Sequence, residues 1–173
     1  MQLIPAILRG FQVIFAVIVL GISVDLARGQ HTSAQAVPAA TGYAAFTGAL
    51  GTLVAFVGVA SLFVSSLEGI ITWALDGLSA ITMLTAGIAY AVLLRDADCS
   101  KLETIWDHRL LSSGCQPIDG HKYCWTTPSK VKSRCISAKA DNAFMFITFV
   151  TCIGIVAYGF FVRGRGAKGV SYA

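Results

Sequence analysis

Charge is scarce in this chain: of 173 residues only 13% are Asp, Glu, Lys or Arg, while 55% are hydrophobic. Together with a mean hydropathy of +0.71, that balance excludes an ordinary water-soluble domain. Histidine occurs three times, as His31, His108 and His121, all in stretches that read as loops. No H-E-x-x-H, G-x-S-x-G, Walker or dinucleotide pattern accompanies them, so the residues give catalysis no footing and imply neither a metal nor an organic cofactor. The single asparagine, Asn142, is followed by Ala143 and Phe144, which leaves no N-glycosylation sequon. The net charge of +4 comes from Lys and Arg in loops and tails, without a basic helix interleaved with aromatics, so nucleic acid is not an expected partner. No repeat of solenoid length is present.

Four long apolar stretches are there instead: Pro5–Ala27, Gly42–Ser65, Gly69–Leu94 and Asn142–Val162. Each approaches the ~20 residues a helix needs to cross the hydrocarbon core. The runs are continuously apolar rather than alternating, which disfavours strands. The expected fold is therefore all-α, a four-helix transmembrane bundle forming one domain over residues 1–173. Arg9 before the apolar run Phe11–Val24 reads as a signal anchor that stays in the chain, since no small-x-small cleavage site follows it. Residues 65–68 connect the second and third stretches so tightly that these two helices should be antiparallel neighbours.

The stretch Arg95–Asp141 reads as the large extramembrane loop, with Gly114, Pro117, Gly120 and Pro128 as turn formers. It holds Cys99, Cys115, Cys124 and Cys135, an even set that points to two disulfides. Zinc is the rival reading, although only His121 and Cys124 have ligand-pair spacing. Cys152, inside the fourth stretch, reads as a small packing residue. Positive charge alone favours a cytoplasmic loop: Arg28 and eight further Lys or Arg lie on that side, against Arg9, Arg163, Arg165 and Lys168 near the termini. The interleaved acids Asp96, Asp98, Glu103, Asp107, Asp119 and Asp141, and the cysteines, oppose that count. The preferred reading is an extracellular, disulfide-stapled loop with both termini cytoplasmic.

Within the apolar stretches a few polar groups call for explanation. Asp76 lies deep in the third, where a lone carboxylate costs about 2.5 to 3.5 kcal/mol on insertion scales. At helical periodicity Glu68, Thr72, Asp76, Ser79, Met83, Ala86 and Tyr90 fall on one arc, an intramembrane polar stripe that serves either as interhelical glue or as a responsive site. In the second stretch Thr47, Gly48, Gly51, Ala55 and Gly58 form a small-residue face suited to packing within the chain or against a second copy. Trp73, Tyr90, Phe160 and Phe161 read as interfacial anchors. Asp25 and Glu68, near span ends, read as interfacial too. Arg163, Arg165 and Lys168 form a short basic tail suited to inner-leaflet contact.

These residues also carry a resemblance. Leu75-Asp76-x-Leu78, Thr85-Ala86-Gly87 and Ala91-Val92-Leu93-Leu94-Arg95, then Cys99, and later Cys135 with Ala138 and Ala143-Phe144-x-Phe146, resemble the fungal non-classical export protein family, four-span proteins of the MARVEL domain class. The likeness is carried by Trp73–Cys99 and Cys135–Cys152; the first two spans match in hydropathy and length. The resemblance implies an eisosome-associated, sphingolipid-responsive organiser of the plasma membrane with cytoplasmic termini. It also implies a cysteine pair at Cys99 and Cys135, which leaves Cys115 with Cys124. The extra pair, the longer insertion between Glu103 and Lys132 and the short tail depart from the family pattern. The function expected is a non-enzymatic scaffold or sensor of lateral lipid–protein domains. Its expected partners are membrane lipids (bound sphingolipid or sterol), further copies of itself as a homo-oligomer, and eisosome-type scaffold proteins. Competing readings are a small transporter or channel subunit working through Asp76 and Glu68, or a trafficking or secretion adaptor.

Overall fold

The computed structural model describes residues 3–29, 37–63, 69–106, 108, 110–112, 115–118, 121–124 and 127–167; side chains of 115–124 and 163–167 are outside what is described. Four long helices dominate: α1 (Leu3–Arg28), α2 (Ala39–Ala60), α3 (Ile70–Leu93) and α5 (Pro128–Ala167). All four are long and apolar enough to cross a membrane. Their starts follow local chemistry. Pro5 sits in the first turn of α1, Pro38 caps α2 and Pro128 opens α5, places where a missing N–H costs nothing and a fixed φ suits helix entry. Gly69 caps α3 at φ 150° and ψ −151°, a backbone region that only glycine occupies without strain.

The helices form a closed ring in which α1 packs on α2, α2 on α3, α3 on α5, and α5 back on α1. Alternating direction follows from which residues meet. Gly58 lies against Arg9 and Gly48 against Leu20; Gly51 meets Met83 while Tyr43 bonds Thr85. Trp73 packs against Phe160, and Gly87 meets Phe146. Gln12 reaches Cys152, whereas Ser23 reaches Asp141. The start of α1 and the end of α5 thus share one end of the bundle, the terminal end. The packing of α2 on α3 agrees with the adjacency their short connection implied; that connection, with Glu68, lies outside the described residues.

At the opposite end Cys99 is bonded to Cys135, with Cα atoms 5.7 Å apart, so the segment after α3 is tied to α5. Closing a chain of this separation, 36 residues, removes loop entropy worth about 4 kcal/mol from the unfolded state. A short helix α4 (Leu102–Trp106) packs on α5. Beneath it Leu94, Ala97, Ile105, Leu110 and Leu111 join Val131, Cys135 and Ala138 in a core continuous with that between the spans, through Tyr90, Met83, Val19 and Met145. The disulfide end is therefore an apolar cap on the bundle rather than a separate lobe.

Two features depart from the sequence reading. The fourth helix begins at Pro128, not Asn142, so Pro128–Asp141 is helix and the loop is shorter than expected. Val131, Cys135, Ala138, Met145 and Cys152 are all buried, a helical period that the intervening Lys and Arg obscured. The loop also contains an antiparallel pair, β1 (Cys115–Ile118) with β2 (His121–Cys124). Pro117 consequently lies within a strand and Pro128 within a helix, not in turns. Register sets Cys115 opposite Cys124, but their side chains are outside what is described.

Candidate functional site

Near the terminal end all four helices contribute to one buried polar layer. Arg9 and Asp76 each lie six residues into their helices, about 9 Å from the helix start. The Arg9 guanidinium donates through Nη1 to Asp76 Oδ1 at 2.7 Å and through Nη2 to Oδ2 at 2.7 Å, the two-pronged geometry that gives such pairs their strength. Gln12, one turn along α1, accepts from Arg9 Nη1 at 2.8 Å and donates to Asp76 Oδ1 at 2.8 Å. The same Gln12 amide points at Cys152 Sγ on α5, 3.4 Å away, and Cys152 lies 4.0 Å from Ser79 Oγ. Arg9 is 5% exposed; Gln12, Asp76, Ser79 and Cys152 are fully buried. Helix α2 contributes space. A Cβ on Gly58 would come within 2.6 Å of Arg9 Cζ, so only glycine admits the guanidinium there.

This geometry changes the reading of two residues. Arg9 is not a flanking charge of an anchor segment but an interior group, and the positive charge near the termini is correspondingly smaller. Asp76 has both carboxylate oxygens bonded to a fixed cation and an amide. Sequence reasoning missed Arg9, Gln12 and Gly58 as members of the site; the available signal was one cation and one anion inside two apolar stretches, which in a bilayer seek each other.

The remaining candidates fall into place around this layer. Thr72, Asp76, Ser79, Met83, Ala86 and Tyr90 belong to the buried face of α3. Thr47, Gly48, Gly51, Ala55 and Gly58 are buried within the chain, with Gly48 set so close to α1 that a Cβ would lie 2.8 Å from the Leu20 Cα and Gly51 set against Met83 of α3; in this chain the small-residue face serves contacts of α2 with α1 and α3. Tyr90 is fully buried and is not an interfacial anchor, whereas Phe160 and Phe161 are exposed. Trp73 packs against Phe160 with ring centroids 5.0 Å apart and planes tilted by 37°, its indole over Gly159. Of the tail, the side chains of Arg163 and Arg165 and the whole of Lys168 lie outside the described residues.

A second polar layer lies at the disulfide end, about 21 Å along α3 from the first. Ser23 donates to Asp141 Oδ2 at 2.6 Å, and Arg134 Nη2 donates to the Leu26 carbonyl at 2.8 Å, meeting one of the carbonyls that the end of α1 leaves free. Between the layers the interior is apolar, lined by Ala16, Val19, Met83, Ala86 and Met145, while the hydroxyls of Thr47 and Thr148 bond their own helices. No continuous polar path joins the two ends among the described residues, and no cluster of three His, Cys, Asp or Glu able to hold a metal occurs among them. Outside the spans, Ser100 donates its hydroxyl at 2.6 Å and its N–H at 3.0 Å to Asp98 Oδ1, which holds that carboxyl below its ordinary range.

Four apolar helices in an up-and-down ring, with Arg9 and Asp76 turned inward and paired, define a multi-pass integral membrane protein. The family model for MARVEL, described as a membrane-associating domain, matches residues 2–158, and the chain belongs to that family. No curated protein and no solved structure matches it.

Proposed function

We propose that this MARVEL-family protein is a non-enzymatic organiser of lateral lipid–protein domains in a fungal plasma membrane, eisosome-associated and responsive to sphingolipid, with both termini in the cytoplasm. The observation that carries the reading is the division of labour between inside and outside. Polar side chains within the spans are turned inward, where Arg9, Gln12 and Asp76 bond one another and Thr47 and Thr148 bond their own helices, while large apolar side chains, among them Ile14, Phe46, Leu53, Ile81, Ile88 and Val150, face outward on all four helices. Such a surface interacts with acyl chains and with sister molecules through packing, without turnover of a substrate. Self-association into a homo-oligomer would use these outward faces, since the small-residue face of α2 is occupied by α1 and α3.

The paired state of Asp76 and the apolar interior between the two polar layers count against transport through the bundle. The decisive experiment reconstitutes the full chain in vesicles containing sphingolipid, sterol and phosphatidylcholine. Clustering that tracks sphingolipid content, with retained lipid and multiple subunits by native mass spectrometry, is the expected result. A dispersed monomer without lipid, or an ion or solute flux that disappears in Asp76→Asn, would overturn it.

A further inference from the structure

The two polar layers of the bundle differ in how completely their atoms are bonded. At the disulfide end, Thr41 Oγ1 on α2, Tyr90 Oη on α3 and Asp141 Oδ1 on α5 are each buried and each without a hydrogen-bond partner among the described residues. Exposure of these residues is 1%, 0% and 0%. The Tyr90 and Thr41 hydroxyls face each other without meeting the distance and angle of an ordinary hydrogen bond, and Tyr90 lies within electrostatic reach of Asp141 and Arg134. The other oxygen of Asp141 accepts from Ser23 on α1. One polar group from each of the four helices is thus gathered at a single level, and three of them point at unfilled bonding capacity. Leaving three such atoms unbonded in a low-dielectric interior forfeits their hydration with nothing in return, which native interiors avoid.

The geometry points to a ligand site at this level, made by Asp141, Tyr90 and Thr41, whose occupant is an internal water molecule. The mixture of charges selects that class of ligand. A cation would sit beside the Arg134 guanidinium, whose Nη2 bonds the Leu26 carbonyl while its Nε is buried without a partner among the described residues, and an anion would sit beside the Asp141 carboxylate. A neutral molecule that both donates and accepts satisfies all three atoms: water donates to Asp141 Oδ1, accepts from the Tyr90 hydroxyl, and bonds Thr41 in whichever sense remains. Three partners is the usual number for a buried water. With Ser23 joined through Asp141, this water completes a branched hydrogen-bond network touching all four helices at the level where the disulfide cap begins.

The test is an experimental structure of the full chain in a lipid mesophase, at a resolution that shows ordered solvent, with matched crystals soaked in thallium salt. The expected result is one ordered water within hydrogen-bond distance of Asp141 Oδ1, Tyr90 Oη and Thr41 Oγ1, and no anomalous peak from thallium. In Thr41→Val/Tyr90→Phe that density is lost while the Arg9–Asp76 pair and the Cys99–Cys135 bridge remain. Direct bonding of Tyr90 to Asp141 or Thr41 with no solvent between them would overturn the inference, as would a thallium peak at the site. The native structure decides between these outcomes even if the double variant does not fold.

Discussion

The terminal end and the disulfide end of the bundle solve the same problem in different ways. Both place a buried carboxylate among four helices. At the terminal end Asp76 has a dedicated cation, Arg9, with Gln12 filling the remaining geometry and Gly58 making room. At the disulfide end Asp141 has only the Ser23 hydroxyl as a described partner, and the nearby Arg134 is committed to the end of α1. The first arrangement is closed and specific, and it registers helices against one another because the fork of Arg9 fits in one position. The second relies on covalent support, the Cys99–Cys135 bridge, to hold its helices together. Interior charge in a membrane thus need not signal a pathway; it can fix helix register, provided every atom of the pair is engaged.

Breaking the terminal layer should have the largest effect. Arg9→Met or Asp76→Asn each strands one partner in the interior and should lower stability by about 3 to 5 kcal/mol, read as the midpoint of unfolding in mixed micelles. The double variant Arg9→Met/Asp76→Leu should recover most of that loss, because apolar groups of similar volume need no partner; failure to recover would show that the pair contributes more than mutual neutralisation. At the other end, Cys135→Ser should cost up to about 4 kcal/mol, and hydrogen exchange should rise around α4 and the first turns of α5 while the Arg9 layer stays protected. Gly58→Ala tests the room made for Arg9: its Cβ collides with the guanidinium and should cost about 1 to 3 kcal/mol, whereas Gly10→Ala, whose Cβ meets nothing, should be neutral or slightly stabilising by thermal shift.

The smallest effect is that of pH on the exposed Asp98 turn. Its carboxyl is held below the ordinary value of 3.8 by the Ser100 hydroxyl and N–H, so the turn is fully supported above that value and loses support as pH falls through the depressed one. Amide exchange at Ser100 should accelerate only in that acid range, and Ser100→Ala should move the carbon-detected titration of Asp98 back toward 3.8.

How much of this was legible in the sequence depended on the range of the interaction. Hydropathy and length, which are local, marked four spans, and the arc from Thr72 to Tyr90 coincides with the buried face of α3. The Cys99–Cys135 bridge came from resemblance, not from spacing, since four cysteines permit three pairings. Arg9 escaped because its meaning lies 67 residues away; next to an apolar run it reads as a flank, and nothing within a window of one helix says otherwise. The early start of α5 escaped for the opposite reason. Its core period of Val131, Cys135 and Ala138 was present, but the exposed Lys130, Lys132 and Lys139 around it dominated a hydropathy average. The strand pair was signalled by Asp119-Gly120, a sequence favoured in two-residue hairpins, and overlooked because the cysteines around it invited a reading in terms of cross-links.

The length of α5 has a mechanical corollary. Forty residues of uninterrupted helix make a rod of about 60 Å, roughly twice the thickness of the hydrocarbon core, and no proline follows Pro128 to give it a hinge. The stapled cap is fastened to one part of this rod, and Cys152 and Phe160 ride farther along it. Tilting the cap by one degree about the opposite tip would sweep it through about 1 Å, given that length. Thickening or thinning of the surrounding bilayer, by changing the rod's inclination, would thus be felt simultaneously at both faces of the membrane.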